Sequence, residues 1–219
     1  EKTFRIDPNG AWSVETTIDI AERLRKMDAT IEFLEDPVPS MHAHARLKRH
    51  VDYPIATNMF VVETADIAPA MDPPAVDVIL SDHHYWGGLS GNRQLDATCR
   101  ALDLGVGMHS NSHLGVSMAA MVHSAATMPL VRYACDTHYP WMADDVIADP
   151  PVDIEDGHIA VPDGPGLGVE LDEDALDRMH ERYQDSETLG YSSVGSMAAE
   201  YAEAAREREG TWLPDKPIW

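Results

Sequence analysis

The chain has 219 residues, 44% of them hydrophobic, which allows one sizeable core and at most two small domains. Thirty-eight acidic residues against sixteen basic ones give a net charge of −22, which argues against binding to nucleic acids or to anionic membrane surfaces. The sequence has no apolar run of transmembrane length. Its two cysteines, Cys99 and Cys135, are too few for a disulfide framework or a four-cysteine zinc site, so we expect a cytoplasmic protein.

Short strand-like runs alternate with helical patterns through the first 140 residues. The runs are residues 5–7, 31–35, 54–58, 76–82, 105–109 and 130–135. The clearest helical patterns between them are residues 14–27 and 114–126. Strands that alternate with helices predict βαβ units and a parallel sheet, which is an α/β fold.

A polar residue stands at the carboxyl end of each of the first five runs. These residues are Asp7, Glu35, Asn58, Asp82 and His109, and successive members are 23 to 28 residues apart, one βα unit per step. In a (β/α)₈ barrel the carboxyl ends of the strands meet on one face, where the active site lies. The spacing therefore predicts that the five side chains share one pocket.

The alternation of strand-like and helical patterns ends near residue 140, after about six βα units. Turn-rich stretches follow, with helical patterns at residues 172–183 and 197–209. We interpret residues 1–140 as a barrel portion that carries the active site and residues 141–219 as a tail that packs back on it. Because a whole barrel takes about 250 residues and eight strands, we expect two further strands before residue 1.

Asp7, Glu35 and Asn58 offer two carboxylates and one amide oxygen. Such hard oxygen ligands suit Mg²⁺, which leaves positions open for water or substrate. For any one of these residues a helix cap or a surface position is the more ordinary explanation. Their occurrence at three successive strand ends favours a metal site.

Asp82 and His109 end the next two strands and suggest an acid/base pair. A carboxylate beside an imidazole fixes its tautomer and raises the basicity of the other nitrogen. An isolated pair of this kind is more often a core histidine satisfied by an aspartate, but the neighbouring metal residues favour the catalytic interpretation. The spacing of His109 and His113, and the pair His83 and His84, also suggest zinc; this is disfavoured because no glutamate completes an HExxH motif. Three methionines are predicted to be core residues instead of part of a cofactor site: Met118, Met121 and Met128.

Several stretches together resemble one subgroup of the enolase superfamily, the glucarate dehydratases, which are related to mandelate racemase and muconate lactonizing enzyme. They are residues 5–12 (RIDPNGAW), 34–37 (LEDP), 56–59 (ATNM), 81–86 (SDHHYW), 108–113 (MHSNSH), 136–138 (DTH) and 161–170 (VPDGPGLGVE). The resemblance covers nearly the whole chain. The element at 35–37 marks only the superfamily, whereas Asn58 as third ligand and the His-Ser-Asn stretch at 109–111 are more specific to the subgroup.

The resemblance implies roles for individual residues. Asp7, Glu35 and Asn58 would bind Mg²⁺, and His109 with Asp82 would form the acid/base dyad. The substrate would be contacted by Asn9, Ser110, Asn111 and His138. The reaction would remove the proton α to a carboxylate, give an enediolate stabilised by Mg²⁺, and then eliminate hydroxide from the β carbon with His109 as the acid, a pattern already described for this superfamily.

The chain departs from the glucarate dehydratase pattern in two places. The family's Lys-x-Lys pair and its N-terminal capping domain have no counterpart in this sequence, so we expect both, with the first two barrel strands, in an upstream part that completes the site. The family also has a tail arginine that meets the far carboxylate of glucarate. The matching positions here are Tyr191, Ser192 and Ser193.

The sequence leaves three functions open. The first is a dehydratase of a sugar diacid such as glucarate. The second is a dehydratase of a monocarboxylate sugar acid such as xylonate or gluconate. The third is a catalytically silent barrel that acts as a binding protein. The expected partner is a small sugar acid, with no nucleic acid or membrane, and the expected assembly is a homo-oligomer.

The dispersed acidic residues, with only four lysines, are typical of a salt-adapted, haloarchaeal-type protein surface. A charge of −22 repels itself at low ionic strength, and molar salt screens that repulsion. We therefore expect folding to need molar salt. A thermal melt that is unchanged between low and molar KCl would contradict this prediction.

Overall fold

The computed structural model describes residues 3–110, 113–148 and 153–185. Within these ranges, strands and helices alternate from the start of the chain. The elements are β1 (Phe4–Ile6), α1 (Val14–Lys26), β2 (Ile31–Glu35), α2 (Met41–Leu47), β3 (Ile55–Thr57), α3 (Thr64–Met71), β4 (Val78–Ser81), α4 (Gly88–Ala101), β5 (Gly105–Met108) and α5 (Gly115–Ala126). A 3-10 turn, Tyr139–Trp141, and helix α6, Glu173–Gln184, follow.

The five strands form one parallel sheet in the order β1-β2-β3-β4-β5. Each strand is hydrogen-bonded to the next one along the chain, with one helix between them. This is the arrangement of consecutive βα units in a barrel wall, and it confirms the predicted α/β class and partial (β/α) barrel. All five carboxyl ends consequently lie on one edge of the sheet.

The two faces of the sheet bury different sets of side chains. On one face Phe33, Ala56, Val78 and Leu80 form a small cluster with Tyr133 against them. The glycines of β5 leave space for Tyr133, since a Cβ on Gly107 would lie 2.6 Å from Leu80 Cδ2 and 3.9 Å from the ring of Tyr133. The other face packs against the helices in the larger core, which contains the predicted core methionines Met118, Met121 and Met128.

Local capping explains where two predicted helices begin. The Ser13 hydroxyl accepts a hydrogen bond from the Thr16 N–H at 3.0 Å at the start of α1. The Asp172 carboxylate accepts one from the Ala175 N–H at 2.9 Å at the start of α6. Both helices, and α5, agree with the predicted ranges to within one residue at each end.

The sixth predicted strand, residues 130–135, does not form. Among the described residues, Val131 makes only an isolated parallel bridge to Val106. The Leu130 N–H donates instead to the Asp96 carboxylate at 2.9 Å, which removes it from a strand ladder. The chain still returns to β5, because the Asp136 N–H donates to the Met108 carbonyl at 2.9 Å.

Residues after 140 contact the helix-side core. Ile147 is buried in it, and Ile159, Leu167 and Val169 pack against it. An antiparallel bridge joins Ile147 to Leu171. The division into a barrel portion at 1–140 and a tail at 141–219, and the expected upstream strands and capping domain, remain predictions. The helical pattern at 197–209 and the stretch 191–193 lie outside the described residues.

None of the helices in the described ranges is both long and apolar enough to span a membrane.

Candidate active site

The five polar residues predicted from strand spacing all lie at the carboxyl edge of the sheet. Glu35 is the last residue of β2, and the other four directly follow their strands: Asp7 follows β1, Asn58 follows β3, Asp82 follows β4 and His109 follows β5. Hydrogen bonds connect neighbouring members in two pairs, Glu35 with Asn58 and Asp82 with His109. The parallel order of the strands is therefore sufficient to assemble the site.

Glu35 and Asn58 form the first pair. The Asn58 side-chain amide donates to Glu35 Oε1 at 3.0 Å. Burial raises the pKa of Glu35, and the nearby carboxylates of Asp7, Asp36 and Asp136 raise it further. This concentration of carboxylates, of which Glu35 and Asp36 are buried, fits a divalent cation, which would compensate their charge.

Asp7 completes the set of oxygen donors. Burial raises the pKa of Asp7 to about 6, although a hydrogen bond from the Asn9 N–H to Oδ1, at 2.8 Å, opposes the shift. Two carboxylates and an amide carbonyl are hard donors, and hard donors are the ligands that Mg²⁺ prefers. Asp7, Glu35 and Asn58 are thus able to hold Mg²⁺, and their chemistry fits the group that the resemblance implies.

Asp36 holds the backbone beside two of the predicted metal ligands, Glu35 and Asn58, and the sequence analysis missed it. Its fully buried carboxylate accepts hydrogen bonds from the Thr57 hydroxyl at 2.5 Å and from the Asn58 and Met59 N–H groups at 2.9 and 3.2 Å. Its carbonyl accepts from the Gly10 N–H at 2.6 Å. Asp36 thereby joins the loops after β1, β2 and β3. Its position between Glu35 and Pro37, directly after a buried strand, is the signal that could have found it.

The dyad geometry agrees with an acid/base role. His109 Nδ1 lies 3.2 Å from Asp82 Oδ2. Burial alone would raise the pKa of the Asp82 carboxyl, but the hydrogen bonds from His109 and His84 outweigh burial and hold that pKa well below its usual range. An ionised Asp82 requires a proton on the facing Nδ1, which leaves His109 Nε2 as the basic nitrogen.

The loop after β4 also brings potential zinc ligands together. A carboxylate oxygen of Asp82 and imidazole nitrogens of His83 and His84 lie within 4.8 Å of one another. Hydrogen bonds explain this grouping, since His84 Nδ1 lies 2.6 Å from Asp82 Oδ1 and His109 faces the other oxygen. His113, which suggested an HxxxH motif, hydrogen-bonds instead to Ser117 and Thr137.

The four expected substrate contacts are placed as follows. Asn9 lies in the loop after β1 with a positive φ of 52°, beside Asp7. Ser110 is buried after β5, and its hydroxyl donates to the Asp136 carbonyl at 3.1 Å. His138 precedes the 3-10 turn and packs on Trp141, with 5.2 Å between ring centroids. Asn111 lies outside the described residues.

The chain is similar to known proteins over most of its length. The family described as "Enolase C-terminal domain-like" matches residues 1–175. A probable glucarate dehydratase from Streptomyces coelicolor is 45% identical over 218 residues, which cover 99% of this chain and 48% of the relative. Muconate cycloisomerase 1 from Rhodococcus opacus is 29% identical over 176 residues, covering 78% and 46%. The chain spans about half the length of the curated relatives it matches.

Solved structures share the fold. An enolase from Thermobispora bispora, complexed with magnesium and formate, is 43% identical with a TM-score of 0.84, covering 96% of this chain and 48% of the other. An enolase from Pseudomonas fluorescens with bound magnesium, potassium and tartrate is 42% identical with a TM-score of 0.83, covering 90% and 46%.

Proposed function

Because the chain belongs to the enolase C-terminal domain-like family, we propose that the whole protein is a Mg²⁺-dependent dehydratase of a sugar acid, with glucarate or a related diacid as substrate. The observation that carries the proposal is the shared sheet edge, where a hydrogen-bonded Asp82–His109 pair lies beside the donors Asp7, Glu35 and Asn58. The 45% identity to a probable glucarate dehydratase supports the diacid.

In this proposal His109 carries out both proton transfers. Its Nε2 takes the proton from the carbon α to the substrate carboxylate, while Asp82 stabilises the imidazolium that forms. The imidazolium then returns the proton to the hydroxyl on the β carbon, which leaves as water. One base that becomes the acid accounts for both steps without a second catalytic side chain.

The metal and the remaining polar side chains have supporting roles. Asp7, Glu35 and Asn58 would hold Mg²⁺, which when bound supplies electrostatic stabilisation of the charge that develops on the substrate carboxylate. Asn9, Ser110, Asn111 and His138 would contact the substrate hydroxyls. These assignments follow the family motifs at the matching positions of this sequence.

The substrate is tested on the full-length protein with a library of sugar acids, using mass spectrometry to detect the loss of water. We expect glucarate to exceed xylonate and gluconate in kcat/KM by about ten- to a hundred-fold, because a charge-assisted hydrogen bond to the far carboxylate contributes about 1.5–3 kcal/mol. A preference for xylonate or gluconate would instead favour the monocarboxylate alternative, which Tyr191, Ser192 and Ser193 suggest. Binding of sugar acids without turnover would support the silent barrel.

A further inference from the structure

The Asp82 carboxylate is shared between two imidazoles. Asp82 is fully buried, and its Oδ2 faces His109 Nδ1 at 3.2 Å. Its Oδ1 accepts from the backbone N–H of His84 at 2.8 Å and lies 2.6 Å from Nδ1 of the His84 ring. The shorter of the two imidazole contacts is thus the one to His84, a residue to which the proposed reaction gives no role.

His84 is itself held from its other side. Its Nε2 lies 2.7 Å from the hydroxyl of Ser117, in the first turn of α5. The same hydroxyl lies 2.9 Å from His83 Nε2 and 3.2 Å from His113 Nδ1, and His113 Nε2 lies 2.7 Å from the Thr137 hydroxyl. Ser117 of α5 therefore contacts His83 and His84, in the loop after β4, and His113, in the segment after β5. His113 in turn contacts Thr137, which follows α5.

We propose that His84 is a positioning residue for the dyad: it fixes the Asp82 carboxylate so that Oδ2 faces His109, and it limits how strongly that carboxylate attracts the proton on His109. This inference rests on the proposed function and deepens it. A carboxylate on a short loop can rotate about its side-chain torsions, whereas one bound at Oδ1 by a ring and a backbone N–H is restricted to one orientation. Because the hydrogen bond to His84 draws negative charge toward Oδ1, Oδ2 carries less charge with which to attract the His109 proton.

The protonation states around Asp82 agree with this role. The hydrogen bond with Asp82 raises the pKa of His84, although burial opposes the shift. Burial lowers the pKa of both His83 and His113 to about 4, so these rings stay neutral and serve as hydrogen-bonding partners. Among the described residues, the titratable groups that face Asp82 and His84 are His109 after β5, His113 before α5, and His83 and Tyr85 on the same loop.

Two substitutions separate positioning from general structural support. His84→Phe keeps a ring but removes both nitrogens, whereas His84→Asn keeps a donor near the place of Nδ1. In the full-length enzyme we expect His84→Phe to lower kcat about ten-fold or more with KM within two-fold of wild type, and His84→Asn to restore kcat to within about three-fold. The matched control is His50→Phe, which replaces an exposed histidine in the turn after α2 and should leave kcat unchanged.

The pH profile of kcat gives a second readout. Without the bond at Oδ1, Asp82 attracts the His109 proton more strongly and stabilises the imidazolium, so the acid limb should move to higher pH by about half a unit or more in His84→Phe. A fall in kcat with an unmoved acid limb and no rescue by His84→Asn would mean a merely structural role, and unchanged kcat would also overturn the inference.

A spectroscopic readout keeps this test independent of the substrate. In protein labelled with ¹⁵N-histidine, the His109 Nδ1–H signal, assigned by its loss in His109→Gln, should lie downfield and shift in His84→Phe but not in His50→Phe. If no sugar acid is turned over, the proposed function fails and this signal still decides the inference. A signal that is identical in wild type and His84→Phe would overturn it.

Discussion

Replacing His109 by glutamine is expected to abolish dehydration, lowering kcat by about 10²–10⁴-fold or more, because general acid–base catalysis contributes that much and the proposed mechanism uses His109 in both proton transfers. Glutamine is similar in size and polarity, so the site keeps its shape but loses the imidazole that accepts and returns the proton in the proposed mechanism. Single-turnover kinetics with the preferred sugar acid measures the effect directly. Mg²⁺ affinity should stay within a few-fold of wild type, since His109 is not one of the proposed ligands.

Asp82→Asn tests the other member of the dyad. Its amide presents a donor where Oδ1 or Oδ2 now accepts, so one of the two Nδ1–H groups of His109 and His84 loses its acceptor. We expect a severe loss of kcat, because the His109 tautomer and its imidazolium are no longer stabilised.

His50→Gln is the matched control for removal of a histidine. A correctly folded His109→Gln protein with near wild-type turnover would remove the dyad from the mechanism.

Glu35→Gln is expected to abolish detectable Mg²⁺ binding in calorimetry and to remove the stabilisation that Mg²⁺ gives to the wild type. A ligand at about one hundred times its Kd stabilises the folded state by about 2.7 kcal/mol, which a thermal melt of the full-length protein records as a rise in Tm. Glutamine keeps the carbonyl that accepts from the Asn58 amide but removes the negative charge. Exhaustive chelation should likewise stop turnover in the wild type.

Without Mg²⁺, wild type and Glu35→Gln should differ in how their stability changes with pH. Burial and the neighbouring carboxylates raise the pKa of Glu35 in the folded protein above its value in the unfolded chain. Protonated Glu35 therefore stabilises the folded protein at low pH, and this stabilisation is lost as the pH rises through the folded-state pKa. Glutamine does not titrate, and metal-free Glu35→Gln should therefore lose less stability than wild type as the pH rises. Glu22→Gln, on the exposed surface of α1, is the control. Full turnover after chelation, or wild-type Mg²⁺ affinity in Glu35→Gln, would show that the metal assignment is wrong.

The sequence by itself determined the architecture of the site. Strand signals at regular spacing, each followed by a polar residue, were enough to predict a parallel sheet and one shared edge for Asp7, Glu35, Asn58, Asp82 and His109. The prediction succeeded because strand order and chain order are the same in consecutive βα units, so no long-range pairing had to be guessed. Hydrophobic periodicity likewise located α1, α5 and α6.

Only the tertiary structure decided how that site is supported. Asp36 directly follows Glu35 and His84 lies two residues after Asp82, and in the sequence both resemble ordinary polar residues of a loop. Their roles depend on which backbone N–H groups and rings face them after the strands pair. The apolar run 130–135 has the composition of a strand, yet Leu130 donates to Asp96, 34 residues earlier in the chain. Local patterns record burial and periodicity, whereas the partner of each hydrogen-bonding group is fixed only when distant segments come together.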